Sequence, residues 1–397
     1  MNLSPEDKLI LSSIKIELST TESEQLNNLI PQIRNWDYLI KTIIDRGIGP
    51  LFFKKLPLLS NSPKIPEYVK TKLQQAYYKT ISRSMVLQEN FRKIAEVFSA
   101  NNISVIALKG IYLSEWLYQD IGLRQFSDID LLVHEENGKK CLALLSSMGY
   151  KPSSVLSNLS EFVQEHFDIV HYSPMVLDGV SIEIHIKLHA KTEKYHLLVD
   201  EVWKNAIPAT INGSQVLALN IYDLLIHLCL HLDKHFRVGK VQFTCFTDIT
   251  NILNKYVNMI DWEVLTESCR LYNCEKIVFE YILLINKHMN APVPDVVIQQ
   301  YCSLFIEEDE QLFFKYLGGY IGFQKTRSAH FSYLQNVDSP LSKARYIWDV
   351  IFPSKDFMIQ KYKIKRPSRV LFYYPYRNFI AIRGVMYPIQ NTFKNHS

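Results

Sequence analysis

The stretch Ser127-Asp-Ile-Asp-Leu-Leu-Val133 decides both the fold and the chemistry. Side chains alternate between the two faces of a β-strand, so Asp128 and Asp130 share one face while the apolar residues enter a core. Two carboxylates this close repel each other unless a positive charge lies between them. Because Mg²⁺ prefers oxygen ligands, the pair predicts a magnesium site, although two solvated aspartates on an exposed strand would show the same pattern.

A second strand with strict alternation strengthens the metal-site hypothesis. Ser181-Ile-Glu-Ile-His-Ile-Lys-Leu188 places Glu183 and His185 on a polar face and aliphatic residues on the opposite face. If this strand lies beside the first, Glu183 joins the aspartate pair, and three acids can hold two metal ions that activate an attacking oxygen and stabilise a leaving phosphate. The alternative is an edge strand with a solvated polar face. Asp168 is a weaker candidate for the third acid.

The pattern along the chain is that of an α+β protein. Helical periodicity runs to about residue 101, strands then alternate with helices, and helices return from about residue 195. We therefore expect a small mixed β-sheet core at 102–192, flanked by an N-terminal helical region at 1–101 and a C-terminal helical domain at 193–397. The expected strands are Ser104–Leu108, Asp128–Val133, Phe167–Tyr172 and Val180–Leu188.

The composition excludes several classes of protein. Among 397 residues, 47% are hydrophobic and 21% charged, which argues against a disordered chain, a collagen-like fibre or a disulfide miniprotein. The six cysteines form no Cys-x-x-Cys pair, a pattern that favours reduced thiols in the cytoplasm. No apolar run reaches the roughly 18 residues of a membrane helix, so we expect no membrane partner. The net charge of +4 is too small to imply a nucleic-acid partner by itself.

Several motifs together resemble the uncharacterised nucleotidyltransferase family of the polymerase-β-like nucleotidyltransferase superfamily. Three central motifs carry the resemblance: Ala107-Leu-Lys-Gly110, Arg124 followed by the Asp-Ile-Asp-Leu-Leu-Val133 strand, and Glu183-Ile-His185. Weaker similarities extend along most of the chain: Trp36-Asp37, Gly47-Ile-Gly-Pro50, Leu228-Cys-Leu-His-Leu232 and Asp248-Ile249. The resemblance implies a nucleotidyltransferase fold with Asp128 and Asp130 as metal ligands and Glu183 as the third carboxylate.

The sequence departs from the wider superfamily ahead of the acidic strand. There the superfamily has Gly-Ser or Gly-Gly, which holds the triphosphate, whereas this chain has Lys109-Gly110 at a longer distance from the strand. Lys109 would give a phosphate a point charge, and Gly110 would let the backbone approach it. Arg124 would add a bidentate phosphate contact. Ordinary loop charge is the alternative for both cations, so the nucleotide-binding contacts stay open.

Three histidines recur every four residues on the predicted helix Asn220–Phe236 and share one face. Histidines on an otherwise apolar helix favour packing, and the glutamate of the zinc-protease motif is absent. For a contact with substrate or phosphate, His231 and His235 are better candidates than His227. On the second strand, His185 is a further candidate for such a contact.

The C-terminal tail, residues 355–394, carries nine basic residues and one acid, interleaved with aromatic residues. Such a segment could attract and stack on a nucleic acid or bind an acidic peptide. The alternative is a helix that packs its aromatic side chains on the body while its lysines and arginines stay solvated. We favour packing.

The hypothesis that unites these observations is a Mg²⁺-dependent nucleotidyltransferase. It would bind two Mg²⁺ ions and move a nucleoside monophosphate from a nucleoside triphosphate, with ATP favoured, to a small-molecule, peptide or protein acceptor, and release pyrophosphate. Asp128, Asp130 and Glu183 would be the catalytic residues, with Glu183 as ligand or base. The resemblance also suggests a bacterial protein near peptide natural-product biosynthesis. Two alternatives stay open: a non-catalytic nucleotide- or peptide-binding module, and a nucleic-acid 3′-end nucleotidyltransferase, although nucleic acid is not favoured.

Overall fold

The protein is described from a computed structural model. The residues that the structure describes are 3–153, 170–189, 195, 197–237, 243–304, 307–317, 340–353, 355–362, 364 and 366–378. Within these residues, helices precede and follow one seven-stranded mixed sheet along the chain. The structure therefore confirms the predicted α+β class.

The sheet places the acidic strand at its centre. Its strands are β1 Ile106–Leu108, β2 Asp128–Leu132, β3 Lys151–Pro152, β4 Met175–Leu177, β5 Val180–His185, β6 Ile207–Ile211 and β7 Ser214–Ala218. Their spatial order is β3-β4-β5-β2-β1-β7-β6. Strand β2 runs parallel to β5 and antiparallel to β1, while β1 runs parallel to β7. The polar faces of β2 and β5 are thus direct neighbours, as the metal-site hypothesis requires.

Sequence patterns located three of these strands, β1, β2 and β5, but missed the other four. Strands β6 and β7 lie in the stretch from residue 195 that we expected to be mostly helical, and that expectation is wrong for 207–218. They form a hairpin around Asn212-Gly213, a dipeptide that favours a tight turn between two strands. The first residues of the predicted strand Phe167–Tyr172 lie outside the described part of the chain, and Asp168 is one of them. Its described end contributes one bridge, from His171 to His185.

Helices precede the sheet along the chain, and the last of them lies against it. They are α1 Pro5–Ser12, α2 Thr20–Leu29, α3 Trp36–Asp45, α4 Gly49–Lys55 and α5 Glu67–Ala100, and two further helices, α6 Lys109–Trp116 and α7 Gly138–Ser147, follow within the sheet region. In α5, Leu87, Phe91, Ile94 and Phe98 are fully buried at helical spacing, so one stripe of the helix faces the core. This helix contacts β2, β5 and β7. The apolar side of the acidic strand therefore packs under α5.

Helix α8 Val199–Lys204 lies between β5 and β6 in the chain. The helices after the last strand are α9 Ile221–Arg237, α10 Phe243–Tyr256, α11 Trp262–Leu271, α12 Glu275–Met289, α13 Asp295–Tyr301, α14 Glu307–Leu317, α15 Pro340–Ile351 and α16 Lys355–Tyr362. Helix α9 is the predicted histidine helix, and it packs against α10, α11 and α12. One continuous apolar core joins the N-terminal helices, the sheet and the helices from α9 to α14.

The described part of the basic tail has a small apolar cluster of its own. Met358, Ile364 and Val370 are buried together, and Tyr373 and Tyr374 pack against them. Other tail residues are largely exposed, among them Leu371, Phe372 and Tyr376. Residues from 379 onward lie outside the described part, so the binding role of the tail stays a prediction.

Two further features bear on the classes considered above. Each of the six cysteines lies in the described part of the chain, and each is a free thiol. None of the described helices is both long and apolar enough to cross a membrane.

The turn between β4 and β5 sets the start of the strand that carries Glu183. Both of its central residues are left-handed, with φ of 47° at Asp178 and 77° at Gly179. A Cβ built on Gly179 meets nothing within 4 Å, so a substitution there would change only the backbone preference. Turns of this kind match the twist of the two strands that they join.

We expect Gly179→Ala to lower the free energy of unfolding by about 1 kcal/mol, because an alanine resists positive φ. Urea denaturation measures this change, and Asp178→Gly is the matched control. That variant relieves the neighbouring left-handed residue, so it should not lower stability to the same extent. Equal losses in the two variants would contradict the turn geometry described here.

Candidate metal and nucleotide site

Strand register brings the acidic residues together. In the parallel pair β2 and β5, Asp130 lies opposite Glu183 and Leu132 lies opposite His185. In the antiparallel pair β1 and β2, Leu108 lies opposite Asp130. The next residue, Lys109, therefore lies beside the two aspartates of β2. Because in-register neighbours point to the same face of a sheet, the carboxylates of β2 and β5 share one side.

Three side chains form a compact group around Asp130. The Nε2 atom of His185 lies 2.9 Å from Asp130 Oδ1 and 3.6 Å from Glu183 Oε2. Together these residues offer one ligand atom each, and the three atoms lie within 4.8 Å of one another. Lys109 Nζ lies 3.4 Å from the same Asp130 oxygen. Two carboxylates and an imidazole are a donor set that could hold a divalent cation.

The two aspartates of β2 have opposite electrostatic environments. Burial, followed by the charges of Asp130 and Glu183, raises the pKa of Asp128 to about 6, and the Lys109 ammonium opposes this rise. Burial would also raise the pKa of Asp130, but the charge of Lys109 and the hydrogen bond to His185 hold it well below its ordinary value. Asp130 is therefore ionised at any physiological pH, whereas Asp128 gives up its proton only as the pH rises through about 6.

The same carboxylates raise the pKa values of the two basic residues of the site, Lys109 and His185. Burial lowers the pKa of Lys109, but the charges of Asp130, Asp128 and Glu183 raise it overall. Burial likewise lowers the pKa of His185, and its hydrogen bonds to Asp130 and Glu183 reverse the direction. Lys109 also has a φ of 45°, at the turn from β1 into α6. A non-glycine residue in this region is strained, and such strain is characteristic of functional sites.

Gly110 has no room for a side chain. A Cβ at this position would lie 2.7 Å from Phe126 Cβ and 2.8 Å from Arg124 Nη1. The loop that leads into β2 thus packs directly on the first turn of α6. This close approach explains the glycine by packing, and a contact between its backbone and a phosphate stays a prediction.

Arg124 is paired inside the protein. Its Nε and Nη2 atoms donate to Asp248 Oδ1 and Oδ2 at 2.9 and 2.7 Å, and the Tyr118 hydroxyl donates to the same carboxylate at 2.7 Å. Arg124 is 7% exposed and Asp248 is fully buried. The structure therefore does not place Arg124 among the three acids. Its phosphate contact stays a prediction, and what the geometry supports is that it positions the loop beside Lys109.

The histidine face of α9 is turned toward the acids. The ring centroids of His227 and His231 lie 6.3 Å apart, and those of His231 and His235 lie 4.4 Å apart. Burial and then the charge of Lys109 hold the pKa of both His227 and His231 well below the ordinary value. His231 also faces Cys245, whose sulfur lies 3.7 Å from Nδ1. His227 and His231 therefore form a neutral wall near the carboxylates.

The sequence pattern does not show how deeply two residues of this region are buried. His227 is 2% exposed, and neither of its ring nitrogens has a hydrogen-bond partner among the described residues. We had favoured His231 and His235 over it, because the spacing does not show which histidine is deepest. Asp248 was noticed only as part of a family motif. The signal that could have identified it is an acid flanked by Phe246 and Ile249 in the middle of a predicted helix, because a buried carboxylate needs a partner.

A cavity of about 620 Å³ lies beside the amino end of β2. Its lining includes Ser127 from the loop and the cations Arg46, Lys79 and Arg83 from the N-terminal helices. The Nη2 atom of Arg83 donates to the backbone carbonyls of Ser127 and Gly179 at 2.6 and 2.9 Å, which ties α5 to the starts of β2 and β5. Three cations around one cavity suit an anionic group of a ligand.

Comparison with known protein families identifies the chain. The model of a family described as uncharacterised nucleotidyltransferase matches residues 32–290, which is more than half of the protein. The chain belongs to this family. It is therefore a nucleotidyltransferase, an enzyme that transfers phosphorus-containing groups, and the resemblance found in the sequence is confirmed. No curated protein and no solved structure matches the chain.

The raised pKa of Asp128 in this nucleotidyltransferase leads to a prediction about pH. Its pKa of about 6 in the folded protein exceeds the ordinary value of 3.8. The protonated side chain therefore contributes to folding stability below pH 3.8, and this contribution is lost as the pH rises through 6. At pH 7.5 the ionised side chain destabilises the metal-free protein. We expect Asp128→Asn to raise the free energy of unfolding there by on the order of 2 kcal/mol.

Urea denaturation in EDTA at pH 7.5 and pH 4 measures this effect, and the gain should shrink at pH 4. Addition of a divalent cation at pH 7.5 should stabilise the parent protein more than Asp128→Asn, because the variant lacks a ligand for the second ion. A variant less stable than the parent at pH 7.5 would contradict the electrostatic description of the site.

The Arg124–Asp248 pair leads to a second prediction for the nucleotidyltransferase. Asp248→Asn leaves a buried guanidinium without its counter-charge, so we expect a loss of about 3 kcal/mol of folding free energy. The control is Glu96→Gln, which removes an exposed ion pair to Arg92 and should leave the denaturation midpoint unchanged. Similar midpoints for Asp248→Asn and the parent would show that the buried pair does not hold the loop.

Proposed function

We propose that the protein transfers a nucleoside monophosphate, with AMP favoured, from a nucleoside triphosphate to an oxygen of a small-molecule, peptide or protein acceptor. The single observation that supports this reaction is the in-register pair Asp130 and Glu183 with Lys109 beside it. This arrangement combines a cation site with a fixed positive charge. Both are suited to a triphosphate.

The reaction is a displacement at the α-phosphorus. The acceptor oxygen forms a bond to this phosphorus, and the bond from the phosphorus to the oxygen that bridges to the β-phosphate breaks. Pyrophosphate leaves with the electron pair of the broken bond, and a base takes the acceptor proton. Two divalent cations, for which the carboxylates predict Mg²⁺, supply charge neutralisation to the phosphates and activate the attacking oxygen.

The side chains of the protein divide this work. Asp128, Asp130 and Glu183 hold the cations, and Glu183, which is the most exposed of the three-residue group around Asp130, can also accept the acceptor proton. The ammonium of Lys109 lies 3.4 Å from Asp130 Oδ1, and it would bind a phosphate oxygen once a metal ion neutralised that carboxylate. His231 belongs to the neutral wall described above, and we assign it and His235, whose ring lies 4.4 Å away, to contacts with substrate or phosphate. Most of the rate then comes from positioning and electrostatics.

The test uses the full chain with Mg²⁺ or Mn²⁺ and with ATP labelled at either the α- or the γ-phosphate. Each of the other three nucleotides is tested in the same way. Acceptors come from small-molecule, peptide and protein fractions. We expect label from the α-phosphate to enter the acceptor and label from the γ-phosphate to appear in pyrophosphate.

The Asp130→Asn variant should reduce transfer of the α-label by about 10³-fold or more, because it removes a ligand and a charge from the reacting centre. The matched control is Asp178→Asn, which removes an aspartate charge from the β4–β5 turn and should retain the parent rate. If label from the γ-phosphate enters the acceptor instead, the enzyme is a phosphotransferase and the proposed reaction is wrong.

A further inference from the structure

The compact group around Asp130 contains a nitrogen atom that an all-carboxylate site would lack. His185 is 5% exposed, and its Nε2 atom faces both Asp130 Oδ1 and Glu183 Oε2, at 2.9 and 3.6 Å. We propose that Nε2 of His185 is itself a metal ligand, together with Asp130 and Glu183, and that this site binds Mn²⁺ more tightly than Mg²⁺. The inference deepens the proposed function, on which it rests for the presence of a metal site.

The position of Nε2 carries the first step of the argument. In the structure this nitrogen makes its hydrogen bond to one carboxylate and lies within ion-pair distance of the other. A cation that both carboxylates bind therefore lies within reach of the nitrogen lone pair, because the three ligand atoms are within 4.8 Å of one another. When a metal ion binds the doubly protonated ring, the Nε2 proton passes to solvent and Nδ1 keeps its own proton, so the ring is neutral and Nε2 offers its lone pair.

The backbone of His185 is fixed, which is the second step. Val133 N–H donates to the carbonyl of His185 at 2.9 Å, and the residues on both sides of His185 are bonded to the 170–172 segment. Tyr172 N–H donates to Ile184, and Ile186 N–H donates to Val170, each at 2.9 Å. A side chain held on paired strands is better preorganised as a ligand than one on a loop.

The chemistry of the donor set is the third step. Mg²⁺ demands oxygen ligands in a near-ideal octahedron and gives up its waters reluctantly. Mn²⁺ accepts the same carboxylates, and first-row transition ions also accept imidazole nitrogen. A site with two carboxylates and one imidazole therefore favours Mn²⁺ over Mg²⁺. Asp128 lies outside the three-residue group, which leaves its carboxylate for the second ion.

Electron spin-echo spectroscopy of the full chain loaded with Mn²⁺ alone tests this proposal, because it detects a nitrogen nucleus bound to the ion. We expect ¹⁴N modulation in the parent protein. Growth with ¹⁵N-histidine should replace the ¹⁴N pattern by a ¹⁵N pattern, and this measurement needs no variant. His185→Gln should lose the modulation. His134→Gln should keep it, because that ring stacks on Trp203 outside the site.

Calorimetric titration with Mn²⁺ and Mg²⁺ gives the second readout. We expect the parent protein to bind Mn²⁺ at least about tenfold more tightly than Mg²⁺, and His185→Gln to reduce this ratio toward 1. Bound Mn²⁺ without nitrogen modulation overturns the proposal, as does modulation that survives in His185→Gln, or an absence of Mn²⁺ binding.

The outcomes separate this inference from the proposed function. Mn²⁺ with a histidine nitrogen but no transfer of the α-label supports the ligand assignment and contradicts the reaction. Transfer of the α-label with Mn²⁺ bound through oxygen alone contradicts the ligand assignment and leaves the reaction standing.

Discussion

The structure depends on holding three carboxylates on one face of two adjacent parallel strands. Carboxylates on neighbouring positions of one sheet face repel each other, and burial makes the repulsion stronger than it is in water. Lys109 and His185 offset part of it through contacts with Asp130. The opposite faces of β2 and β5 pack in the core, so the strands cannot move apart to relieve the rest. The fold therefore keeps a buried acidic group whose atoms are close enough to serve together as ligands for a cation.

A layer of buried polar groups keeps this site in place. The Arg124–Asp248 pair holds the loop that enters β2, and the close contact of Gly110 with that loop sets the position of Lys109. On the other side, His227 and His231 of α9 stay neutral because burial and the nearby ammonium both disfavour their charged form. Because these histidines carry no positive charge, they do not compete with metal ions for the carboxylates.

Alternation of side chains was enough to predict β2 and β5 and the shared face of the acids, because the period of a strand is a local property. A short apolar run predicted β1, all three residues of which are buried. The register of β5 against β2 is not local, and only the structure shows that Asp130 faces Glu183. The partner of Arg124 lies 124 residues away, so no spacing rule could identify it. Strands β6 and β7 were missed because the Asn212-Gly213 turn was overlooked.

The central claim is that Asp130, Glu183 and His185 surround a metal ion. Anomalous diffraction from crystals of the full chain soaked in Mn²⁺, recorded at the manganese absorption edge, tests it most directly. The account predicts an anomalous peak within bonding distance of a carboxylate oxygen of Asp130 and of Glu183, and of Nε2 of His185. A peak elsewhere, or none at saturating Mn²⁺, would contradict it.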